Sequence, residues 1–309
     1  MRRVLVVLIA LAIGVGSPAL AQDAPASIAA VAQQMRWNDP AEPMTVVGPI
    51  HFVGTQGLTS WLITTSAGDM LLNTGMPPSG ELIVASIRKL GFKPEDVKLL
   101  LTCHAHVDHV GGLAYLQRVT RAQIVALDAE VELIQSGGKT DFNYGSVHEF
   151  QFEPVKVDRV IHDGEKVTLG DVTLLAFKTA GHTRGSTTWV TQVTDGDRRF
   201  TVVFPDGTSV NPGYRLVKNA SYAGIADDYR KTFRTLAALT PDIWLTPHTE
   251  PFAFHAKRAR AATEGVSAWV DPEGYRKWVA LQRERFEAAV ARESAPAMSS
   301  NASDAVAVR

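Results

Sequence analysis

The most informative segment of the sequence reads Thr102-Cys103-His104-Ala105-His106-Val107-Asp108-His109-Val110-Gly111-Gly112 and begins at the last residue of the mostly apolar run 97–102. It places three histidines and one aspartate within six positions. Imidazoles and carboxylates are costly to bury unless they are paired, so a core would not satisfy all four together. A divalent metal would satisfy them. The segment therefore predicts a metal site rather than a structural cluster.

The spacing of His104 and His106 indicates an extended or looped backbone. On an α-helix, residues that share a face lie three or four apart, so these two side chains would diverge. In an extended segment they face one metal together. Two imidazoles leave a tetrahedral zinc in need of a third protein ligand and an open position for water, which is the pattern of catalytic zinc sites.

Two of the remaining histidines are the best candidates for the missing ligands. His182 lies in the glycine-bracketed turn 180–187, and His248 follows the apolar strand 243–245. Both lie where a strand meets a loop, a common place for functional side chains. The other candidates have no comparable turn and are expected to be solvated: His51, His148, His162 and His255. Cys103 is expected to be a buried strand residue rather than a ligand or a nucleophile.

The first residues predict an export signal. Arg2 and Arg3 precede the apolar run 4–15, and Ala19-Leu20-Ala21 is a small-x-small cleavage site. We predict a signal peptide over residues 1–21 and a secreted, periplasmic protein. A membrane anchor is not expected, because the run is shorter than the ~20 apolar residues that a span needs.

The composition excludes several classes of protein. Removal of residues 1–21 takes away two arginines and no acid, which changes the formal net charge from -1 to -3. This slightly acidic balance argues against nucleic acid as a partner. The chain has a single cysteine, so it cannot form an intrachain disulfide.

The mature chain divides into three parts. Residues 22–43 are predicted to form an N-terminal arm anchored by Trp37, residues 44–293 a single domain, and residues 294–309 a disordered tail. Within the domain, β-rich runs alternate with helical patterns. The predicted helices are 79–90, 113–119, 129–136, 229–238 and 272–292. Strands in two sets, each followed by helices, predict two β-sheets packed face to face with helices outside.

The HxHxDHxGG segment, the Gly181-His182-Thr183-Arg184-Gly185-Ser186 turn and the late strand-end histidine together resemble the metallo-β-lactamase superfamily over nearly the whole mature chain. The resemblance implies an αβ/βα sandwich with two Zn²⁺ at one edge. It assigns His104, His106 and His182 to the first zinc. It assigns Asp108, His109 and His248 to the second.

Within that superfamily, the stretches 182–189, 57–63 and 211–216 resemble the subclass B3 β-lactamases. Subclass B1 enzymes supply a cysteine ligand downstream of the third histidine, and Cys103 lies upstream of it, so the B1 ligand set is excluded. The resemblance implies hydrolysis of the amide bond of β-lactams, carbapenems included, by a zinc-activated hydroxide. A monomer is expected, although the sequence does not determine the oligomeric state. Asp108 is expected to orient the hydroxide and assist proton transfer, and Tyr214 to stabilise the oxyanion.

Two departures from the family pattern concern groups around the metals. Asn73 stands where an aspartate-containing turn is usual, so a hydrogen bond behind the ligands is expected to change. A serine that often holds the substrate carboxylate is replaced by Gly207 or Thr208, which leaves Ser209 and Thr208 as donors. Trp37 and residues 139–150 are expected to form walls of an open groove. The alternative for Trp37 is that it only packs the arm.

Two other functions remain open from the sequence. The first is a glyoxalase II-like thioesterase or a lactonase, in which an aspartate at about the place of Asp206 bridges the metals. Substitution of Asp206 by asparagine is expected to collapse a bridging site and barely affect a B3-type site. The second is an exported zinc-binding protein without turnover. Three ligands per metal argue against it, because they leave open coordination positions that are suited to catalysis.

Overall fold

The structure is a computed structural model that describes residues 27–295. The predicted signal peptide, the first residues of the predicted arm and residues 296–309 of the predicted tail lie outside this part of the chain. Among the described residues, no helix has both the length and the apolar composition that a membrane span requires.

Within the described residues, the strands form two sheets. The seven-stranded sheet follows chain order: β1 (Met44–Val47), β2 (Ile50–Phe52), β3 (Trp61–Thr65), β4 (Gly68–Leu72), β5 (Val97–Leu101), β6 (Gln123–Leu127) and β7 (Arg159–Ile161). Its first four strands pair antiparallel and its last four parallel. The five-stranded sheet contains β8 (Lys166–Leu169), β9 (Val172–Lys178), β10 (Thr187–Asp195), β11 (Arg198–Phe204) and β12 (Ile243–Trp244), in reverse order from β12 to β8.

The helices connect the strands and cover the sheets. They are α1 (Ile28–Gln34), α2 (Ser79–Lys89), α3 (Val107–Val110), α4 (Leu113–Thr120), α5 (Val131–Gln135), α6 (Ile225–Ala238), α7 (Phe254–Glu264) and α8 (Pro272–Ser294). At the start of α8, the Asp271 side chain accepts a hydrogen bond from the Gly274 amide, and proline occupies the first helical position.

Local structure differs from the sequence prediction in several places: α3 and α7 are not among the predicted helices, and α6 begins at Ile225 rather than at 229. The β-rich run 44–53 is divided into β1 and β2 by a tight turn at Gly48, whose φ of 47° is in the left-handed region. The predicted helix 129–136 begins as a 3₁₀ turn, Asp128–Glu130, before α5. The arm contains α1, which the sequence reading did not predict.

Alternation along the strands separates two apolar layers. Trp61 and Ile63 of β3 join the core that includes Phe204 and other residues of the five-stranded sheet, whereas Leu62 joins the core of α2 and α4. Successive side chains of a strand point to opposite faces, so one face of the seven-stranded sheet meets the other sheet and the opposite face meets helices. The predicted αβ/βα sandwich is confirmed.

One edge of this sandwich gathers the loops that carry the predicted site. The segment 102–112 leaves the end of β5, and the loop between β9 and β10 contains His182. Because β12 is parallel to β11, the segments that follow these two strands leave from the same edge. The topology therefore brings residues of distant sequence positions together.

Candidate metal centre

The backbone of the HxH segment is held by the end of the neighbouring strand. The Asn73 side-chain carbonyl accepts a hydrogen bond from the Cys103 amide at 2.9 Å. Asn73 itself has a φ of 64°, a conformation that asparagine tolerates better than most residues. The predicted change at this position thus concerns the backbone beside Cys103, and Asn73 makes no hydrogen bond to a ligand imidazole among the described residues.

His104 and His106 lie on non-helical backbone, which is extended at His106, and α3 begins only at Val107. This arrangement agrees with the backbone predicted from their spacing. The ring centroid of His182 lies 4.5 Å from that of His104 and 4.7 Å from that of His106. One candidate ligand atom from each of the three buried side chains lies within 4.8 Å of the others. We call His104, His106 and His182 the first group.

The second group consists of Asp108, His109 and His248. Asp108 Oδ2 lies 3.1 Å from His109 Nε2 and 3.5 Å from His248 Nε2. The two imidazole centroids are 4.9 Å apart. The groups adjoin, because the ring centroids of His104 and His109 are separated by only 4.3 Å. The structure therefore brings all six predicted ligands together.

Each histidine of the first group has one ring nitrogen bonded to another part of the protein. His104 Nδ1 donates to Asp206 at 2.9 Å, and His106 Nε2 donates to Asp141 at 3.3 Å. His182 Nδ1 donates to the Ser209 carbonyl at 2.8 Å. Such bonds fix the tautomer and orientation of metal-binding histidines. They leave His104 Nε2, His106 Nδ1 and His182 Nε2 as the candidate ligand atoms.

Three buried nitrogens of this cluster test whether a metal fits. His104 Nε2 and both ring nitrogens of His109 have no hydrogen-bond partner in residues 27–295. Buried polar atoms are costly when left unpaired, and such atoms are uncommon in folded proteins. Imidazole nitrogens with one carboxylate are donors that zinc accepts, and three per ion leave room for water or substrate. The residues fit two zinc ions.

Neighbouring imidazoles lower the pKa values of two carboxylates at the site, Asp108 and Asp141. Burial raises the pKa of Asp108, but the neighbouring His109 and His248 imidazoles more than offset this and hold it well below its usual range. Burial likewise opposes ionisation of the His106–Asp141 pair. Their mutual hydrogen bond nevertheless raises the pKa of His106 and lowers that of Asp141.

The predicted substrate contacts occupy different environments. Trp37 is buried, and its ring centroid lies 5.3 Å from that of His248, so it both packs the arm and borders the second group. Thr208 is buried, whereas Ser209 is exposed and its hydroxyl lies 3.2 Å from His182 Nδ1. Within the predicted wall 139–150, the Tyr144 ring lies 6.0 Å from His106.

Tyr214 is engaged within the protein. Its hydroxyl donates to the backbone carbonyl of His182 at 2.7 Å, and burial raises the pKa of the phenol well above its usual value. The phenol therefore remains protonated at neutral pH, but its proton is already shared with His182. Its predicted role at the oxyanion stays a prediction.

Sequence reasoning missed two carboxylates beside the site, Asp141 and Glu130. Asp141 lies in the segment assigned only as a groove wall, and Glu130 in a segment assigned as helix, where acidic residues are usually solvated. Neither position carries a local sequence signal. The histidines expected to be bystanders lie elsewhere: buried His51 between Thr45 and Thr64, and exposed His148, His162 and His255.

Comparison with known proteins gives one family and a set of similar structures. A family model described as the metallo-beta-lactamase superfamily matches residues 53–248. The FEZ-1 metallo-beta-lactamase of Legionella gormanii superposes with a TM-score of 0.82 at 36% identity, covering 84% of this chain and 98% of that one. BJP-1, a subclass B3 metallo-beta-lactamase of Bradyrhizobium japonicum, gives 0.79 at 38% identity and covers 85% and 98%.

A third structure, the class B3 di-zinc metallo-beta-lactamase LRA-12 from an Alaskan soil metagenome, has a TM-score of 0.79 and 31% identity over 82% of this chain and 96% of its own. The curated relatives are more distant. A probable metallo-hydrolase of Burkholderia pseudomallei is 28% identical over 53% of this chain and 54% of its own length. Glyoxylase B2 of Dictyostelium discoideum is 28% identical over 33% of each chain. The chain thus spans about half or less of these two relatives.

Proposed function

The chain belongs to the metallo-β-lactamase superfamily, and we propose that it is a subclass B3 β-lactamase that holds two Zn²⁺ and hydrolyses the β-lactam amide bond. The single observation that carries this proposal is the position of Asp206. A thioesterase or lactonase would use an aspartate at about this place as a bridge between the metals. Here Asp206 Oδ2 is hydrogen-bonded to His104 Nδ1 at 2.9 Å.

Six other side chains supply the ligands without Asp206. Three imidazoles form the first group, and a carboxylate with two imidazoles forms the second. This set uses no cysteine, since the only cysteine of the chain, Cys103, is buried in the core and accepts a hydrogen bond from the Asn73 side-chain amide. The likeness to FEZ-1, BJP-1 and LRA-12 over almost their whole lengths supports the same assignment.

The protein's own residues would orient the reactants. Zinc, when bound, would polarise the lactam carbonyl and lower the pKa of water to about 7. Asp108 of the second group would accept a hydrogen bond from the attacking water, orient it and assist the transfer of its proton to the departing lactam nitrogen. No covalent intermediate with the protein is needed.

Residues around the ligand groups would bind the rest of the substrate. The exposed Ser209 hydroxyl beside His182 is placed to donate to the substrate carboxylate, with buried Thr208 as a weaker candidate. Trp37 borders the second group from the arm, and Tyr144 borders the first from the loop 139–150. Together these side chains would form walls of the proposed groove.

Steady-state hydrolysis by the purified protein tests the proposal. A carbapenem and a cephalosporin are assayed as prepared, after chelation, and after zinc is added back. Parallel assays use an N-acyl homoserine lactone and a glutathione thioester. We expect turnover of at least one lactam that chelation abolishes and zinc restores.

The outcomes separate the candidate functions. Turnover of the lactone or thioester alone, by protein holding two zinc ions, would replace the β-lactamase assignment by the lactonase or thioesterase one. Zinc binding without turnover of any of the four substrates would leave a zinc-binding protein. The His255→Ala variant serves as a control, because His255 is an exposed histidine outside both groups.

A further inference from the structure

Glu130 is a buried carboxylate that lies behind the metal centre and is not one of its ligands. It ends the 3₁₀ turn after β6, and only 1% of its surface is exposed. A carboxylate in such a place is stabilised only if hydrogen-bond donors surround it. The donors that surround Glu130 come from the two segments that carry the first group.

One oxygen of Glu130 holds the HxH segment. Oε2 accepts a hydrogen bond from the Ala105 amide at 3.1 Å. Ala105 lies between His104 and His106, so this bond fixes the backbone from which both imidazoles extend.

The other oxygen holds the loop of His182. Oε1 accepts from the Gly185 amide at 2.8 Å and from the Thr183 hydroxyl. Thr183 directly follows His182, and its hydroxyl also lies 2.9 Å from that of Ser186. A single carboxylate therefore joins two loops that are distant in sequence, in addition to the hydrogen bond from the Thr187 amide to the Cys103 carbonyl at 2.7 Å.

The absence of a side chain at Gly185 permits this arrangement. A Cβ atom at Gly185 would lie 2.5 Å from Glu130 Cγ and 2.7 Å from the Glu130 amide nitrogen. Such distances are far below van der Waals contact, so any larger residue would push the His182 loop away from the carboxylate. The close approach thus depends on both partners, on the missing side chain at Gly185 and on the hydrogen bonds that Glu130 accepts.

We propose that Glu130 is a positioning residue that sets the separation between the HxH segment and the His182 loop, so that the three imidazoles of the first group meet one metal ion. This inference rests on the metal centre of the proposed function but not on its substrate. It predicts that Glu130 controls zinc affinity even though it touches neither zinc nor substrate.

The Glu130→Gln variant tests the inference. A glutamine keeps the size of the side chain but turns one acceptor into a donor that faces either the Ala105 amide or the Gly185 amide. We expect about a tenfold to hundredfold loss of first-group zinc affinity, measured by competition with a chromophoric chelator. We also expect an altered visible spectrum of the cobalt-substituted protein. Glu132→Gln is the matched control, because Glu132 is exposed and two residues away.

The outcomes decide between a positioning and a merely structural role. Lower zinc affinity, with a thermal unfolding midpoint of the metal-free protein close to that of the Glu132→Gln control, supports positioning. Unchanged zinc affinity and cobalt spectrum in folded Glu130→Gln protein overturn it. Reduced zinc affinity in a protein that hydrolyses no lactam supports the positioning role and rejects only the β-lactamase assignment.

A milder pair of variants decides the question if Glu130→Gln does not fold. Thr183→Val removes the hydroxyl donor and keeps the shape of the side chain, whereas Thr183→Ser keeps the hydroxyl. We expect several-fold weaker zinc binding for the valine variant and near-normal binding for the serine variant. Equal affinities in both variants would overturn the proposal.

Discussion

The two ligand groups use similar side chains but receive different support from the protein. Every histidine of the first group donates a hydrogen bond from one ring nitrogen to an acceptor of Asp206, Asp141 or Ser209. In the second group, the only side-chain oxygen described close to the His109 ring is that of Asp108 in the same group, 3.1 Å from Nε2, and the His248 side chain is 31% exposed. The first group is therefore held in place before metal arrives, whereas the second depends more on the metal itself.

We expect this difference to set the order of zinc affinity at the two proposed sites. Partners behind a ligand are worth about tenfold to a hundredfold in metal affinity. The packing of Trp37 against His248 supports the second group by shape alone, since the Trp37 indole nitrogen has no partner among the described residues. We infer that the second zinc is bound more weakly and is lost first during chelation.

Loss of one ligand from each group should give the largest effects and should separate the groups. We expect His182→Ala to lose first-group zinc and all measurable turnover. Structural zinc sites bind with about 10–16 kcal/mol over four ligands, so one ligand is worth roughly a hundredfold or more. We expect His248→Ala to lose mainly the second zinc and to regain part of its turnover in excess zinc.

Zinc content after dialysis and turnover at rising zinc concentration check this pair of variants. His162→Ala, which removes an exposed histidine paired with Asp128, should leave both quantities unchanged. If His248→Ala lost both metals to the same extent as His182→Ala, the two groups would be one cooperative unit and would not differ in zinc affinity.

Removal of the charged partners should give the next largest effect. Asp206→Asn and Asp141→Asn each leave a neutral acceptor beside a first-group histidine, so we expect about a tenfold loss of first-group zinc affinity. The matched control is Asp128→Asn, which weakens an exposed carboxylate–histidine pair that includes no candidate ligand. Competition with a chelator measures all three variants.

The Asp206 variant also tests the bridging alternative. The sequence alone suggested that this substitution would barely affect a B3-type site, and the Asp206–His104 hydrogen bond replaces that expectation. Loss of both zinc ions in Asp206→Asn, with Asp141→Asn losing only the first, would show that Asp206 bridges the metals.

The fold and the ligands were largely readable from the sequence because they depend on local patterns. The HxH spacing excluded a helix for His104 and His106, and the strand-end positions of His182 and His248 distinguished them from the other histidines. The continuous apolar run Trp61-Leu62-Ile63 indicated a strand that is buried on both faces. Each of these signals lies within a few residues.

The supporting residues were not readable because their roles exist only between distant segments. Asp141 meets His106 across 35 positions, Glu130 meets Gly185 across 55, and Asp206 meets His104 across 102. Nothing in the residues next to Glu130 distinguishes it from a solvated helix acid. The turn at Gly48 and the helix in the arm escaped prediction for a different reason, since short elements are decided by tertiary packing more than by propensity.

The smallest expected effect concerns Tyr214, which supports the first group through the backbone rather than through a ring nitrogen. Because the Tyr214 hydroxyl already donates to the His182 carbonyl, we expect Tyr214→Phe to lower the free energy of unfolding by about 1–2 kcal/mol. First-group zinc affinity should fall only a few-fold, and kcat less than tenfold. Denaturant unfolding, zinc competition and lactam kinetics measure the three quantities.

An oxyanion donor is worth about a hundredfold or more in kcat, so a loss of that size with unchanged zinc affinity would mean that the hydroxyl leaves His182 and turns to the substrate. The first group would then be supported only by the three acceptors of its ring nitrogens. The Tyr214 hydrogen bond would no longer count among the contacts that distinguish the first group from the second.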